Sequence, residues 1–143
     1  MSTESDLAAS IAALVVPSMV VGTNVFTGPV RKAAETANAA TGGKVPHRAV
    51  FCLGTGGIDD IPYVDGGLKQ ALRQPTVQVW IRSDPENYDD GKALADAVFD
   101  AIDKNPPTGY AECRALGSRP AYVVKDEKGH HLWTVNVLLR QPI

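Results

Sequence analysis

Apolar positions along the chain follow two periods. Near the start, Leu7, Ile11, Leu14 and Val15 stand at i, i+4, i+7 and i+8, the spacing of one helical stripe. This predicts a helix from about Glu4 to Val16, capped by Ser2, Thr3 or Ser5 and ended by Pro17. Glu4 and Asp6 fall in its first turn, where the helix dipole favours anions. A second stripe, Leu94, Val98, Ala101 and Ile102, predicts a helix from Tyr88 to Asp103. Asp89, Lys92, Asp96, Asp100 and Asp103 form its wet face. Asp84 and Pro85 suit its start, and Pro106-Pro107 ends it.

Elsewhere the period is two. Val77, Val79 and Ile81 alternate with Gln78, Trp80 and Arg82, predicting a strand from Thr76 to Arg82. Trp133, Val135, Val137 and Leu139 mark one face of a long strand from His130 to Arg140. Shorter strands are expected at Thr23–Phe26, His47–Leu53, Tyr110–Leu116 and Ala121–Lys125. Gly54-Thr55-Gly56-Gly57 reads as the turn that ends the second of these, and Asp126-Glu127-Lys128-Gly129 as a hairpin turn. Residues 28–46 and 58–74 read as long Gly/Pro-punctuated connections; the Ala-rich piece Arg31–Ala40 has some propensity for helix.

The resulting order is α, β, β, β, α, β, β, β. Strands in succession with few helices predict an α+β fold: an antiparallel or mixed β-sheet with two main helices packed on one face. The 143 residues form one expected domain, 1–143, large enough to bury a core without staples.

Composition narrows the function. The 14 basic and 16 acidic residues give a net charge of −2, and Arg31-Lys32 is the sole adjacent basic pair. A phosphate-gripping surface needs a basic excess, so no sequence-specific nucleic-acid partner is expected. Residues 7–30 carry no charge, but Pro17, Ser18, Gly22, Thr23 and Asn24 interrupt them, and the start is acidic. Neither a membrane span nor a signal peptide is expected. Cys52 and Cys113 belong to no C-x-x-C motif and read as buried thiols in a reducing compartment.

Candidate chemistry fails on spacing. Gly54–Gly57 lacks the Gly-Lys-Ser/Thr of a phosphate loop and is followed by Asp59 and Asp60. A calcium loop starting at Asp84 would put Asp89 where Gly is required and Ala95 where the bidentate Glu belongs. His130 and His131 point to opposite faces of a strand, and His47 lies in another strand, so no metal site is expected. No Gly-x-Ser-x-Gly or cysteine–histidine motif occurs. No catalytic, cofactor or metal residues are therefore assigned, and a non-enzyme is expected. The polar positions Gln78, Trp80, Arg82, Thr134 and Asn136 lie opposite the apolar ones. An exposed Trp on an open sheet face marks a protein contact. The alternative is that Trp80 packs in a second small cluster under a loop.

One set of segments is similar to a known family. Gly56-Gly57 is followed by Ile61-Pro62-Tyr63-Val64-Asp65-Gly66-Gly67, then by Gln74-Pro75-Thr76-Val77-Gln78-Val79-Trp80-Ile81-Arg82. Tyr88 then opens the helix bearing Gly91-Lys92-Ala93-Leu94-Ala95-Asp96-Ala97-Val98, and Asp126–His130 leads into the last strand. In this order the segments, over about residues 45–142, resemble the tail terminator proteins of long-tailed bacteriophages. The resemblance implies a structural virion protein at the head–tail junction, assembled in the host cytoplasm. Its copies would close a hexameric ring on the tail tube protein, stop tube growth and meet a head-completion or connector protein, with DNA passing through. It implies no cofactor. Within that ring, Gln78, Trp80, Arg82, Thr134 and Asn136 are candidates for the subunit interface or the lumen. The alternatives are another head–tail connector or minor capsid protein and, in a different class, a small cytoplasmic enzyme or ligand-binding module.

Overall fold

A computed structural model describes residues 2–14, 19–28, 46–61 and 72–142. The connection at 29–45, the possible Arg31–Ala40 helix, Pro17 and the Pro62–Gly67 motif lie outside the described residues, as does the side chain of Leu14. The elements run α1 (Thr3–Leu14), β1 (Val25–Thr27), β2 (Ala49–Ile61), β3 (Leu72–Arg82), α2 (Tyr88–Ile102), β4 (Glu112–Ala115), β5 (Ala121–Lys125) and β6 (His131–Pro142).

The strands form one mixed sheet in the order β1-β2-β3-β6-β4, with β5 also on β6. β1 runs parallel to β2, while the other pairings between these strands are antiparallel. β4 pairs with the later half of β6, at Val137–Arg140, and β5 with the earlier half, at His131–Thr134. The sheet thus ends on one side in β4 and β5 and on the other in β1 and β2.

Both helices cover the same sheet face. Leu7, Ala8 and Ile11 of α1 join Leu94, Ala95, Val98, Phe99 and Ile102 of α2 over Val50, Cys52, Val77, Val79, Ile81, Trp133, Val135 and Val137. Burying each large aliphatic side chain of this set contributes about 1.5–3 kcal/mol. The alternation read in β3 and β6 is met directly: Val77, Val79 and Ile81 stand opposite Val137, Val135 and Trp133.

Local chemistry sets the helix ends. Ser2 caps α1 by accepting the Ser5 N–H at 3.2 Å. Asn87 caps α2 and accepts the Asp90 N–H at 3.3 Å. Tyr110 donates its hydroxyl to Asp6 at 2.9 Å, tying the chain after α2 to the first turn of α1. Gly91 lets the start of α2 lie on the sheet, since a Cβ there would stand 2.6 Å from the Trp133 indole.

The Gly54–Gly57 segment is not the end of a strand. β2 continues through it to Ile61, and β3 begins at Leu72 rather than Thr76. The glycines make a bulge, with a register shift between Gly54 and Gly57. Gly57 has φ 147°, and a Cβ there would meet the Gln74 carbonyl oxygen at 2.5 Å. Gly57 is thus required by the close backbone approach of β2 and β3, whereas a Cβ at Gly54 would meet the Glu4 side chain instead.

Candidate subunit-contact surfaces

The sheet face away from the helices carries all five predicted contact residues. Register brings four of them into adjacent pairs: Gln78 stands opposite Asn136, and Trp80 opposite Thr134. Arg82 stands opposite Leu132 at the end of the same row. Alternation in the two strands therefore assigned them to one side correctly.

That side is not uniformly open. Phe26, Ala49 and Phe51 are buried there as a second cluster, and Trp80 packs against them. Phe26 and Phe51 stack with centroids 5.8 Å apart. The Trp80 indole N–H donates to Gln78 Oε1 at 3.0 Å. Of the two readings of Trp80, packing in a second cluster is the one the structure bears out.

Arg82 belongs to this cluster rather than to an open surface. It is 9% exposed, with its guanidinium 5.4 Å from the Phe51 ring centroid. Its Nε donates to the His47 carbonyl at 2.8 Å, and its terminal nitrogen donates to the Pro46 carbonyl. Burial pushes its pKa below the ordinary value, and nearby Asp126 pulls it back up. Arg82 thus holds the segment before β2 against the sheet. Gln78, Thr134 and Asn136 remain as the accessible polar row, with Asn136 the most open.

Beside Arg82 lies a chain of ionisable groups that the sequence did not reveal. His47 Nδ1 is 2.7 Å from His130 Nε2, and His130 Nδ1 is 2.8 Å from Asp126 Oδ2. Asp126 Oδ1 also accepts the backbone N–H groups of Lys128 and His130, each at 2.9 Å. Partial desolvation raises the Asp126 pKa, but the His130 ring and these N–H groups outweigh it and hold the carboxyl below its ordinary 3.8. His130 is 3% exposed, and its bonds with Asp126 hold the β5–β6 turn. The one sequence signal was Asp126 four positions before His130 in a glycine turn, a spacing suited to side-chain capping of the turn. Among the described residues no group of three or more His, Cys, Asp or Glu is placed to hold a metal. His130 and His131 do point to opposite sides, as expected: His131 meets Tyr88 and Tyr122 instead.

A further surface was missed in the sequence. All five residues of β5 are exposed, with Tyr122, Val123 and Val124 at 44%, 44% and 48%. Tyr122 joins Tyr88, His131 and Trp133 in an aromatic group with centroids 5.2–6.2 Å apart. The Tyr122 hydroxyl lies 2.8 Å from His131 Nδ1. β5 reads in sequence as an ordinary short strand, and only its pairing on one side makes it an apolar edge.

Comparison with known proteins gives this architecture a family. A family model described as bacteriophage tail terminator protein matches residues 36–141. Among solved structures, a chain of the virion of a native gene transfer agent (GTA) particle has the same fold. The TM-score is 0.57 at 17% identity, over 99% of this chain and 96% of that chain. No curated protein matches the sequence. With the family model covering most of the chain, this protein belongs to the bacteriophage tail terminator family.

Proposed function

We propose that this protein caps the head-proximal end of a phage tail tube as a hexameric ring, stops tube polymerisation and offers the surface on which the head is joined. The observation that carries this reading is the family match over residues 36–141, which makes the chain a tail protein of the virion. Its partners are further copies of itself, the tail tube protein and a head-completion or connector protein. Assembly takes place in the host cytoplasm.

The chain's own properties support a structural rather than an enzymatic role. The polar groups near the second cluster are engaged in holding backbone: buried Arg82 on the carbonyls of Pro46 and His47, and half-buried Asp126 on the N–H groups of Lys128 and His130. The net charge of −2 suits a conduit for DNA, because each phosphate paired with Lys or Arg would add a salt-dependent grip. No cofactor enters this reading.

The deciding experiment is deletion of the gene in a producing phage. Tails of uncontrolled length, or tails that fail to join filled heads, are expected by electron microscopy. Normal-length tails that join heads would overturn the proposal. Six-fold rings of the purified protein, seen by light scattering and negative stain, are the expected direct observation.

A further inference from the structure

Of the strand edges without a strand partner among the described residues, two stretches are exposed throughout, and they lie on opposite sides. On one side, β5 pairs with β6 along its inner edge, while its outer edge, Ala121–Lys125, is exposed throughout. On the other side, β1 covers β2 only at Val50–Cys52. Beyond that point Gly54–Ile58 is exposed, with Ile58 at 54%. An open edge presents N–H and C=O groups that accept a further strand, and soluble proteins ordinarily guard it with charge. β5 instead presents Tyr122-Val123-Val124, with Lys125 its only charged residue.

We infer that these edges are the two halves of one contact, in which the β5 edge of one copy adds to the free edge of β2 in the next copy, head to tail. The inference rests on the ring reading above and deepens it by naming the contact. Charge favours a second copy as the occupant. On the β4–β5 side Lys125 is already paired with Glu86 at 2.9 Å, which leaves Arg114 and Arg119 against Glu112, whereas the sequence of the distal part of β2 contains Asp59 and Asp60 and no basic residue. Arg114 is 60% exposed, and its only ion pair among the described residues is a long 3.8 Å contact with Glu112. Two like edges would bring basic residues together, but unlike edges bring opposite charges together.

Geometry selects the same arrangement. Complementary patches on opposite sides of a molecule cannot satisfy each other within one chain or in a two-fold dimer. They make a heterologous contact, which closes into a ring when the rotation allows. Main-chain hydrogen bonds between added strands supply affinity, and the flanking aromatic group, Tyr88 with Tyr122, supplies anchors. Both edges also carry a register irregularity, at Gly54/Gly57 and Ile58/Ile61 in β2 and at Tyr122/Val124 in β5. Such irregularities restrict promiscuous edge pairing.

Thiol cross-linking tests the contact. Val123→Cys and Ile58→Cys variants are co-expressed and treated with a short bis-maleimide; both positions are exposed, so neither change disturbs the core. The native Cys52 and Cys113 are fully buried and contribute no background. Cross-linked pairs in the mixture, and in neither variant alone, are expected. The variant carrying both changes should give a ladder ending in a closed ring. Cross-linking of Val123→Cys alone, or of Ile58→Cys alone, would mean a two-fold contact and overturn the inference. Wild-type rings in the microscope without cross-links in the mixture would also overturn it, while leaving the ring reading intact. If the wild-type protein forms no ring, either by itself or on tail tubes, the ring reading fails and this contact fails with it.

Discussion

The backbone of Gly91 lies against the Trp133 indole so closely that a Cβ would stand 2.6 Å from Cζ3 and 2.5 Å from the Ser83 Cβ. Ordinarily, glycine to alanine within a helix stabilises by about 0.5–1 kcal/mol. Here that gain is opposed by overpacking, which costs about 1–3 kcal/mol in a filled core. Gly91→Ala should therefore lower stability, read as a reduced urea midpoint with an unchanged slope. A changed near-UV circular dichroism signal from Trp133 should accompany it. A midpoint equal to or above wild type would mean that α2 does not sit on β6 as described.

The helix-on-sheet core makes a second expectation. Leu94 on α2 is 2% exposed and Ile81 on β3 is 0% exposed. Truncating either to Ala should cost about 2–5 kcal/mol. Thermal melts of both variants check it. Two unchanged melting temperatures would contradict the register that stacks α2 on β3 and β6.

How much of this was legible in the sequence depended on whether the signal was local. The alternation of Val77, Val79 and Ile81 and the stripe of Leu94, Val98 and Ile102 report burial directly, because the period of each element matches its contact face. Gly54–Gly57 misled because turns and bulges call for the same residue, and the choice between them rests on Gln74 and Pro75 in another strand. Arg82 sits in a polar register position, yet the carbonyls that bury it come from Pro46 and His47, more than thirty residues away. His47 and His130 are 83 positions apart, so nothing local joins them. The β5 edge was invisible for a different reason: its residues are ordinary for a strand, and exposure follows only from having one neighbour.

Arg82 should behave as a folding residue. It supplies two donors to backbone carbonyls that have been drawn against the sheet, and a hydrogen bond from a charged group contributes about 1.5–3 kcal/mol. Arg82→Ala should lower the stability of the isolated chain by about 3 kcal/mol. Arg82→Lys should recover only part, since an ammonium keeps the charge but not the planar fork. Chemical denaturation under conditions where no ring forms separates this from any effect on assembly. Wild-type stability in Arg82→Ala would return Arg82 to the list of free surface residues.

Cys52 and Cys113 should be silent towards thiol reagents. Both are 0% exposed, and burial pushes each thiol up to about 12, with Glu4 adding to the effect at Cys52 and Asp103 and Glu112 at Cys113. The thiolate is the reacting form. At pH 8 the native protein should therefore take up no maleimide, and both positions should label in denaturant. Mass spectrometry counts the adducts. Rapid labelling of either cysteine in native protein would place it outside the core.

The Asp126 turn sets the acid side of the stability profile. Its carboxylate accepts the His130 ring N–H and two backbone N–H groups, and its pKa in the folded chain lies below the ordinary 3.8. A depressed carboxyl pKa stabilises the fold fully above the unfolded value, and that contribution disappears as pH falls through the folded value. Wild-type protein should therefore lose this increment only as pH falls below about 3.8. Asp126→Asn keeps an oxygen that can accept the N–H groups of Lys128 and His130, but it offers no charge to His130 and does not titrate. The variant should be less stable than wild type at pH 7. The gap should close below the ordinary carboxyl range as the wild-type carboxylate takes up its proton. Denaturant midpoints measured in parallel from neutral to acid pH read this convergence. Curves that stay parallel to the lowest pH would mean that Asp126 has the same proton affinity folded and unfolded, and that the His47–His130–Asp126 chain does not hold the turn.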